Sequence, residues 1–284
     1  MTAERKFLGL PKDFWSNIRT ISEQVRYTIR STGQVKVPTP QEIKAVLGKL
    51  GLSTAHLFTA DEQPTQLGET VGAYFEYRAR VLNSFVEPRL MDADQARREY
   101  RRLKRELKPS CPLPMNKQKG AKKAPAFLTG IVNMLIEANA QGLPCDYDPR
   151  QLTTVTSERG PLRTLARRVD GAFPRAVNPI AVWEIKEYYY TTTFGSRVAD
   201  GVYETLLDGM ELEELREHEG IEVKHYLMVD SHYTWWECGR SYLCRIIDML
   251  HMGYVDEVLF GAEVMERLPS IVRDWVTIAR ERSR

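Results

Sequence analysis

The spacing of apolar and polar residues along the first hundred positions predicts helices. Thr39 and Pro40 precede an apolar-periodic run, as expected for a helix that begins with an N-cap threonine and a first-turn proline. Apolar residues recur on one face from 67 to 86, which predicts a second helix. Asp92 is placed to cap a third, strongly basic helix. The N-terminal part of the chain is therefore expected to be a mainly helical domain.

The pattern changes after a stretch rich in Pro, Lys and Gly, because β-rich runs then alternate with helical runs. The predicted strands are at 151–156, 181–190, 223–229 and 257–260, and the predicted helices at 127–140, 195–219, 241–251 and 263–282. Such alternation favours parallel neighbours in a mixed sheet that helices cover. We predict an α/β (α+β) chain with a helical region at 1–110, a basic linker at 111–125 and a core at 126–284.

Composition and the N-terminal sequence exclude several classes of protein. The chain is 43% hydrophobic and 27% charged, which is typical of soluble globular proteins and not of disordered or collagen-like chains. No apolar run approaches the ~20 residues of a membrane span, and the first fifteen residues lack the apolar core of a signal peptide. Cys111, Cys145, Cys238 and Cys244 have neither zinc-site nor disulfide-framework spacing. We expect a cytoplasmic protein without a membrane partner.

Charge is segregated along the chain although the formal net charge is only +2. Residues 97–123 contain eleven Lys and Arg against two Glu, and residues 200–220 contain eight Asp and Glu against one Arg. The basic stretch predicts contact with a polyanion, and its candidate phosphate-binding residues are Arg101, Arg102 and Arg105. The alternative is that both stretches are solvated helix faces.

The residues that indicate chemistry lie around the predicted strand at 181–190. Glu184 and Lys186 are two positions apart and therefore share one face of that strand. Asp170 lies fourteen residues before Glu184, and the midpoint between them falls in the loop at 174–179. An antiparallel hairpin around this loop would bring the two carboxylates together. A helix at 163–169 is the alternative, and a register slip of one residue would turn one carboxylate away.

Two facing carboxylates form the oxygen-only kind of site that suits Mg²⁺. A lysine beside them would stabilise negative charge or orient water during in-line hydrolysis of a phosphodiester. The competing interpretation of Glu184 and Lys186 is a surface salt bridge on an edge strand, which contributes little.

These residues match the motif of a known superfamily. The sequence resembles the PD-(D/E)XK nucleases over about residues 125–262, with Asp170, Glu184 and Lys186 at the motif positions and Val169 in place of the proline. The resemblance implies a restriction-endonuclease-like mixed central sheet and a nuclease catalytic core at 126–284. It implies that Asp170 and Glu184 hold Mg²⁺, for which Mn²⁺ substitutes. It also implies double-stranded DNA as substrate and a homodimer, since cutting both strands needs two active sites.

Polar residues directly after the catalytic strand are candidates for DNA contacts. Hydroxyl and guanidinium groups there could hold a phosphate or a base edge, and the candidates are Thr192, Thr193, Ser196 and Arg197. A helix cap explains Ser196 equally well.

Three functions fit these features. The first is a Mg²⁺-dependent type II restriction endonuclease of a restriction-modification system, which cuts double-stranded DNA at a short specific sequence. The second is a nuclease subunit of an antiphage-defence or repair system that a partner guides. The third is a catalytically inactive DNA-binding protein, and the presence of all three motif residues weighs against it. We therefore expect an endonuclease.

Overall fold

Helices build the first hundred residues, and a sheet with flanking helices builds most of the rest. A computed structural model describes residues 1–29, 31–117, 119–120, 123–190 and 195–282. Within these ranges the helices are α1 (Lys12–Val25), α2 (Pro40–Lys49), α3 (Gln66–Val81), α4 (Ala93–Leu107), α5 (Phe127–Asn139), α6 (Ser196–Glu219), α7 (Arg240–His251) and α8 (Glu263–Arg282). The strands are β1 (Asp146–Tyr147), β2 (Thr154–Ser157), β3 (Gly160–Thr164), β4 (Gly171–Phe173), β5 (Ala181–Glu187), β6 (Lys224–Asp230) and β7 (Glu257–Phe260).

The predicted helix starts are confirmed by their caps. The Thr39 side chain accepts a hydrogen bond from the backbone of Glu42, and the Glu42 side chain accepts one in return from the backbone of Thr39. Asp92 and Gln95 form the same reciprocal capping box at the start of α4. Each box satisfies N–H groups that have no acceptor inside the helix.

The main sheet is mixed, as predicted. Its strand order is β1-β4-β5-β6-β7. β1, β4 and β5 are antiparallel neighbours, whereas β5, β6 and β7 run parallel, with α6 and α7 as the two connections. The strand predicted at 151–156 does not join this sheet, because a tight turn at Glu158 and Arg159 pairs β2 with β3 instead. The helical alternative at 163–169 is wrong, since β3 continues to Thr164 and an irregular segment follows.

Helices cover both faces of the sheet, which we name by the residues of β5 that point to them. On the Trp183 face, α5 and α8 pack in one hydrophobic cluster, where the Trp183 ring stacks on Trp275 at 5.5 Å. On the Glu184 face, α6 and α7 pack against the parallel strands. α4 lies against α5, with Tyr100 seated on Gly130, where a Cβ atom would come within 2.4 Å of the ring. The sheet core is therefore closed on both sides.

The first three helices form their own apolar cluster, which includes Phe14, Trp15 and Tyr74. Arg78 of α3 connects this cluster to the sheet domain through a buried ion pair with Asp248 of α7. The boundary expected at 111–125 stays a prediction. Among the described helices, none is both long enough and apolar enough to cross a membrane.

Candidate active site

The hairpin that was predicted from the spacing of Asp170 and Glu184 is present. β4 and β5 pair so that Gly171 lies opposite Trp183. One step further along this register places Asp170 opposite Glu184, and the Asp170 N–H donates to the Trp183 carbonyl at 3.1 Å. Only glycine fits at 171, because a Cβ atom there would lie 2.1 Å from the Trp183 ring. The Trp183 ring therefore restricts the position next to Asp170 to glycine.

Asp170 and Glu184 are tied together through the backbone at the point where β4 ends. The Asp170 carboxylate accepts a hydrogen bond from the Ile185 N–H at 2.8 Å. The Asp170 side chain thus provides the hydrogen-bond acceptor that a backbone carbonyl would provide if β4 extended further. In the other direction, the Asp170 N–H donates to Glu184 Oε1 at 3.2 Å. Asp170 is exposed as a residue, whereas Glu184 is fully buried, so the site opens to solvent at Asp170.

Lys186 lies beside Glu184 under α6. Its Nζ donates to Glu184 Oε2 at 2.7 Å and to Glu204 Oε2 at 2.9 Å. The lysine stem fits because α6 presents Gly201, where a Cβ atom would come within 3.1 Å of Lys186 Cδ. The interpretation as a surface salt bridge on an edge strand is wrong, because β5 is the central strand and both side chains are buried.

Three charged residues that the sequence analysis missed complete the cluster. Arg167 Nη1 lies 2.9 Å from Glu184 Oε1 and 2.6 Å from Asp208 Oδ2, and Arg167 Nη2 lies 3.3 Å from Glu204 Oε2. Glu204 and Asp208 are four residues apart on α6 and therefore share its inner face. The four-residue spacing of these two acids could have indicated from the sequence that they lie on the same side of the helix. Arg167 lies in an irregular segment, and no pattern in the sequence indicated it.

The pKa values of the side chains in this cluster reflect burial first and the charges of their neighbours second. Burial of the carboxylate and repulsion from Glu184 raise the pKa of Asp170 to about 6, although the residue is exposed overall. The same two causes raise the pKa of Asp208 to about 7. Burial opposes ionisation of Glu184, but Lys186 and Arg167 outweigh it and lower the pKa of Glu184. Burial likewise disfavours charged Lys186, yet Glu184 and Asp170 raise its pKa.

The cluster fits a divalent cation in charge and in donor chemistry. Four carboxylates face only two basic groups, Arg167 and Lys186. Asp208 Oδ1 is buried and has no hydrogen-bond partner among the described residues. Both oxygens of Glu184 already accept hydrogen bonds, so a bound cation would replace a contact of Arg167. Among the described residues, however, no group of three or more His, Cys, Asp or Glu side chains is placed to hold a metal ion, so Mg²⁺ binding by Asp170 and Glu184 stays a prediction.

The structure places the predicted phosphate-binding arginines of α4 away from this cluster. Arg101 and Arg105 are exposed on α4, which packs over the Trp183 face, opposite Glu184 and Lys186. Arg102 on the same helix is paired with its neighbours Glu99 and Glu106 at 2.8 Å each. Arg97 of the same helix donates to the hydroxyl of Tyr190, three residues beyond the end of β5, at 3.2 Å.

The candidates for DNA contacts that follow β5 divide into two pairs. Ser196 and Arg197 are exposed in the first turn of α6. Thr192 and Thr193 lie outside the described residues.

A second group of buried acids lies at the carboxyl end of the parallel strands. Glu187 points to the Trp183 face and accepts a hydrogen bond from the Thr129 N–H at 2.8 Å, at the start of α5. Asp230 at the end of β6 accepts from the Met91 N–H at 2.7 Å and from the Tyr189 hydroxyl. Burial raises the pKa of Glu187 to about 7 and that of Asp230 to about 8. These acids hold chain segments together and lie apart from the Asp170 cluster.

We expect the stability of the protein to fall as pH rises from about 5 to about 8. The folded state binds the Asp230 proton more tightly than the unfolded state, so the unfolded state loses its proton first and gains stability relative to the folded state. Each unit of pKa difference is worth about 1.4 kcal/mol. Replacing Asp230 with asparagine keeps an acceptor for the Met91 N–H and should remove the share of this dependence that Asp230 contributes, whereas the raised pKa values of Glu187, Asp208 and Asp170 keep theirs.

Denaturant unfolding at several pH values measures this effect. The matched control is Asp274→Asn, the same change at an exposed position of α8, and it should leave the pH dependence unchanged. Equal pH dependence in the wild type and in Asp230→Asn would show that Asp230 is ionised in the folded protein at pH 5.

Comparison with known proteins gives two family matches. Residues 91–275 match a family described as Domain of unknown function (DUF7687). Residues 1–85 match a second one, described as Domain of unknown function (DUF7690). No curated protein and no solved structure matches the chain. The two matched segments meet just before α4.

Proposed function

The chain belongs to the family described as Domain of unknown function (DUF7687), and we propose that it is a Mg²⁺-dependent endonuclease. Its substrate would be double-stranded DNA, cut at a specific short sequence as by a type II restriction enzyme. The observation that carries this proposal is the meeting of Asp170, Glu184 and Lys186 at one point of the β4–β5 hairpin. Two carboxylates that hold a metal ion and a lysine beside them are groups that suit in-line hydrolysis of a phosphodiester.

Each residue of the cluster has a separate task in this proposal. Asp170 and Glu184 would hold Mg²⁺, which when bound polarises the phosphate and lowers the pKa of a water molecule. Lys186 donates hydrogen bonds to the oxygen on which negative charge develops. Glu204 of α6 accepts from Lys186 Nζ and so fixes the position of the ammonium group beside Glu184. Arg167 balances Glu184 and Asp208 while no substrate is present.

The DNA would approach along the carboxyl end of β5. Arg97 stands at that end through its bond to Tyr190. Arg101 and Arg105 follow at spacings of four residues on the same side of α4, and they remain our candidates for phosphate contacts. Arg102 is already paired with two glutamates, which makes it the weakest of the three original candidates.

A second candidate function is a nuclease with the same active site whose cleavage site is selected by a protein partner. Tyr203, Leu207 and Met210 are exposed apolar residues on one side of α6, the helix that covers the catalytic lysine. Such a stripe favours a protein contact. The contact could be with a second copy of the chain, as the proposed homodimer requires, or with a subunit that supplies sequence specificity.

We expect the purified protein to cut long duplex DNA into discrete fragments when Mg²⁺ or Mn²⁺ is present. The fragment ends should share one short palindromic sequence, because a two-fold symmetric dimer reads both strands alike. Cleavage should stop in excess EDTA. Ca²⁺, which accepts longer and looser coordination, should support binding without turnover. The measurement is end mapping by sequencing, together with a binding assay in Ca²⁺.

The outcomes separate the candidates. Discrete ends support the restriction-type enzyme, whereas cleavage that appears only after another protein is added supports the partner-guided nuclease. Full activity in EDTA would contradict the assignment of Asp170 and Glu184 as cation ligands.

A further inference from the structure

A cavity of about 340 Å³ lies between the C-terminal end of α1 and the start of α7. Its volume falls within the range of about 300–1,000 Å³ that is typical of small-ligand sites. The thiol of Cys238 lines it, and its charged lining residues are three arginines and two glutamates: Arg26, Arg240, Arg245, Glu23 and Glu237. The cavity thus joins the two segments of the chain that match different families.

Aromatic rings, not carboxylates, hold two of these guanidinium groups in place. Arg240 lies over the Trp236 ring at 4.7 Å. Arg245 lies 5.1 Å from the centre of the Tyr242 ring and 5.6 Å from that of Tyr27. Stacking on a ring positions a guanidinium group through its face. Arg245 Nη1 donates to the Tyr203 hydroxyl at 2.9 Å, and its remaining edge N–H groups would meet an anion.

The two glutamates of the lining make only long contacts with the arginines. Glu237 is 3.6 Å from Arg240, and Glu23 is 3.9 Å from Arg245. Both glutamates are at least half exposed, so these contacts are weak. By comparison, Arg167 in the active site has carboxylate oxygens at 2.6 and 2.9 Å. Arg240 also has a buried Nε–H without a hydrogen-bond partner in the described part of the chain.

The start of α7 adds to the positive character of the cavity. Its N-cap residue is Gly239, which has no side chain to accept hydrogen bonds from the first turn. The unpaired N–H groups of a helix start carry partial positive charge and attract anions, phosphate in particular.

We propose that this cavity binds a phosphate group. Guanidinium forks match the oxygen geometry of phosphate, and charge-assisted hydrogen bonds of this type are the strong ones. The phosphate could belong to a free nucleotide or to the backbone of a nucleic acid, and the two sources share the chemistry that Arg26, Arg240 and Arg245 recognise. The site is separate from the Asp170 cluster. Arg245 contacts α6 through the hydroxyl of the exposed Tyr203, whereas Lys186 of the cluster lies against Gly201 of the same helix.

Binding is tested on the full chain with inorganic phosphate, adenosine 5′-monophosphate and a short duplex in EDTA. The variants are Arg26→Gln, Arg240→Gln and Arg245→Gln. Since a hydrogen bond to a charged group is worth about 1.5–3 kcal/mol, each variant should lower the affinity about tenfold or more. The control Arg273→Gln removes an arginine from the exposed face of α8, away from the cavity, and should bind like the wild type.

The thiol of Cys238 provides a readout that needs no variant. Cys238 lines the cavity and is exposed, whereas Cys244 is buried and the other two cysteines are partly covered. Burial raises the pKa of Cys111 to about 12, which slows its reaction with a thiol reagent. Bound phosphate should therefore slow the first phase of thiol modification severalfold.

The arms of the experiment identify the source of the phosphate. Arginine-dependent binding of phosphate and nucleotide supports the proposal with a free nucleotide as ligand. Arginine-dependent binding of the duplex alone supports it with a nucleic-acid backbone as ligand. If all three probes bind the arginine variants as they bind the wild type, or if none protects Cys238, the proposal is overturned. Because cleavage is not measured, the result does not depend on the proposed nuclease activity.

Discussion

Replacing Asp170 with asparagine is expected to reduce DNA cleavage about 10²–10³-fold or more, which is at least the size of effect seen when one preorganised hydrogen-bonding group is removed from an active site. Asparagine keeps the oxygen that accepts the hydrogen bond from the Ile185 N–H, and position 170 is exposed. The fold should therefore stay intact. Asp170→Asn removes only the negative charge that would help to hold Mg²⁺, so binding of duplex DNA in Ca²⁺ should change little.

Lys186→Met provides the second test of the same site. Methionine fills much of the space of the lysine stem under Gly201 but donates no hydrogen bond, so cleavage should fall to a similar extent. The measurement is the single-turnover cleavage rate, with circular dichroism to verify folding. Asp148→Asn is the matched control, since Asp148 is exposed and its N–H donates to the Asp170 carbonyl. Wild-type cleavage rates in Asp170→Asn would rule out the proposed mechanism.

Replacing Arg78 with methionine is expected to lower the free energy of unfolding by about 3–5 kcal/mol, because it leaves a buried carboxylate without its cation. Arg78 is 1% exposed and its partner Asp248 is 4% exposed. The arginine donates to both Asp248 oxygens at 2.9 and 3.0 Å and to Ser22 Oγ at 2.9 Å. The interaction joins α1, α3 and α7, so the N-terminal helices should also become easier to cleave by proteases.

A double variant separates the loss of charge balance from the loss of packing. Arg78→Met with Asp248→Leu removes both charges, and it should recover a large part of the lost stability, because a buried ion pair is often replaced by apolar residues at little net cost. Arg80→Met, an exposed change on the same helix, should alter stability by less than about 0.5 kcal/mol. Denaturant unfolding measures all three. If Arg78→Met behaves like Arg80→Met, the pair does not hold the two parts of the chain together.

The central hairpin could be predicted from the sequence because its contacts are local. Asp170 and Glu184 are fourteen residues apart, and one turn between two short strands is enough to bring them together. The alternation of side chains along a strand then places Lys186 on the same face as Glu184. The same reasoning misassigned the strand at 151–156, because it found the strand but had no means of choosing its partner.

The sequence pattern did not indicate which acidic residues of α6 are buried. The charge count of residues 200–220 favoured a solvated face, and several of these carboxylates are indeed exposed. Asp208, however, is fully buried and Glu204 bonds to Lys186. Which side of an acidic helix faces inward depends on where the helix rests, and here the close approach at Gly201 decides it.

By itself, the sequence determined the helix starts at Thr39 and Asp92 and the alternation of strands and helices after residue 125, and it predicted the pairing of Asp170 with Glu184 without excluding a slipped register or a helix at 163–169. Each of these follows from residues close in the chain, where backbone geometry limits the possible arrangements. Only the tertiary structure decided that α4 packs opposite the proposed catalytic face, and that Arg167, Glu204 and Asp208 surround Lys186. The contacts around Lys186 join residues up to 41 positions apart, and the contact of α4 with Tyr190 joins residues 93 positions apart. Both depend on how whole helices pack on a sheet, which local spacing does not specify.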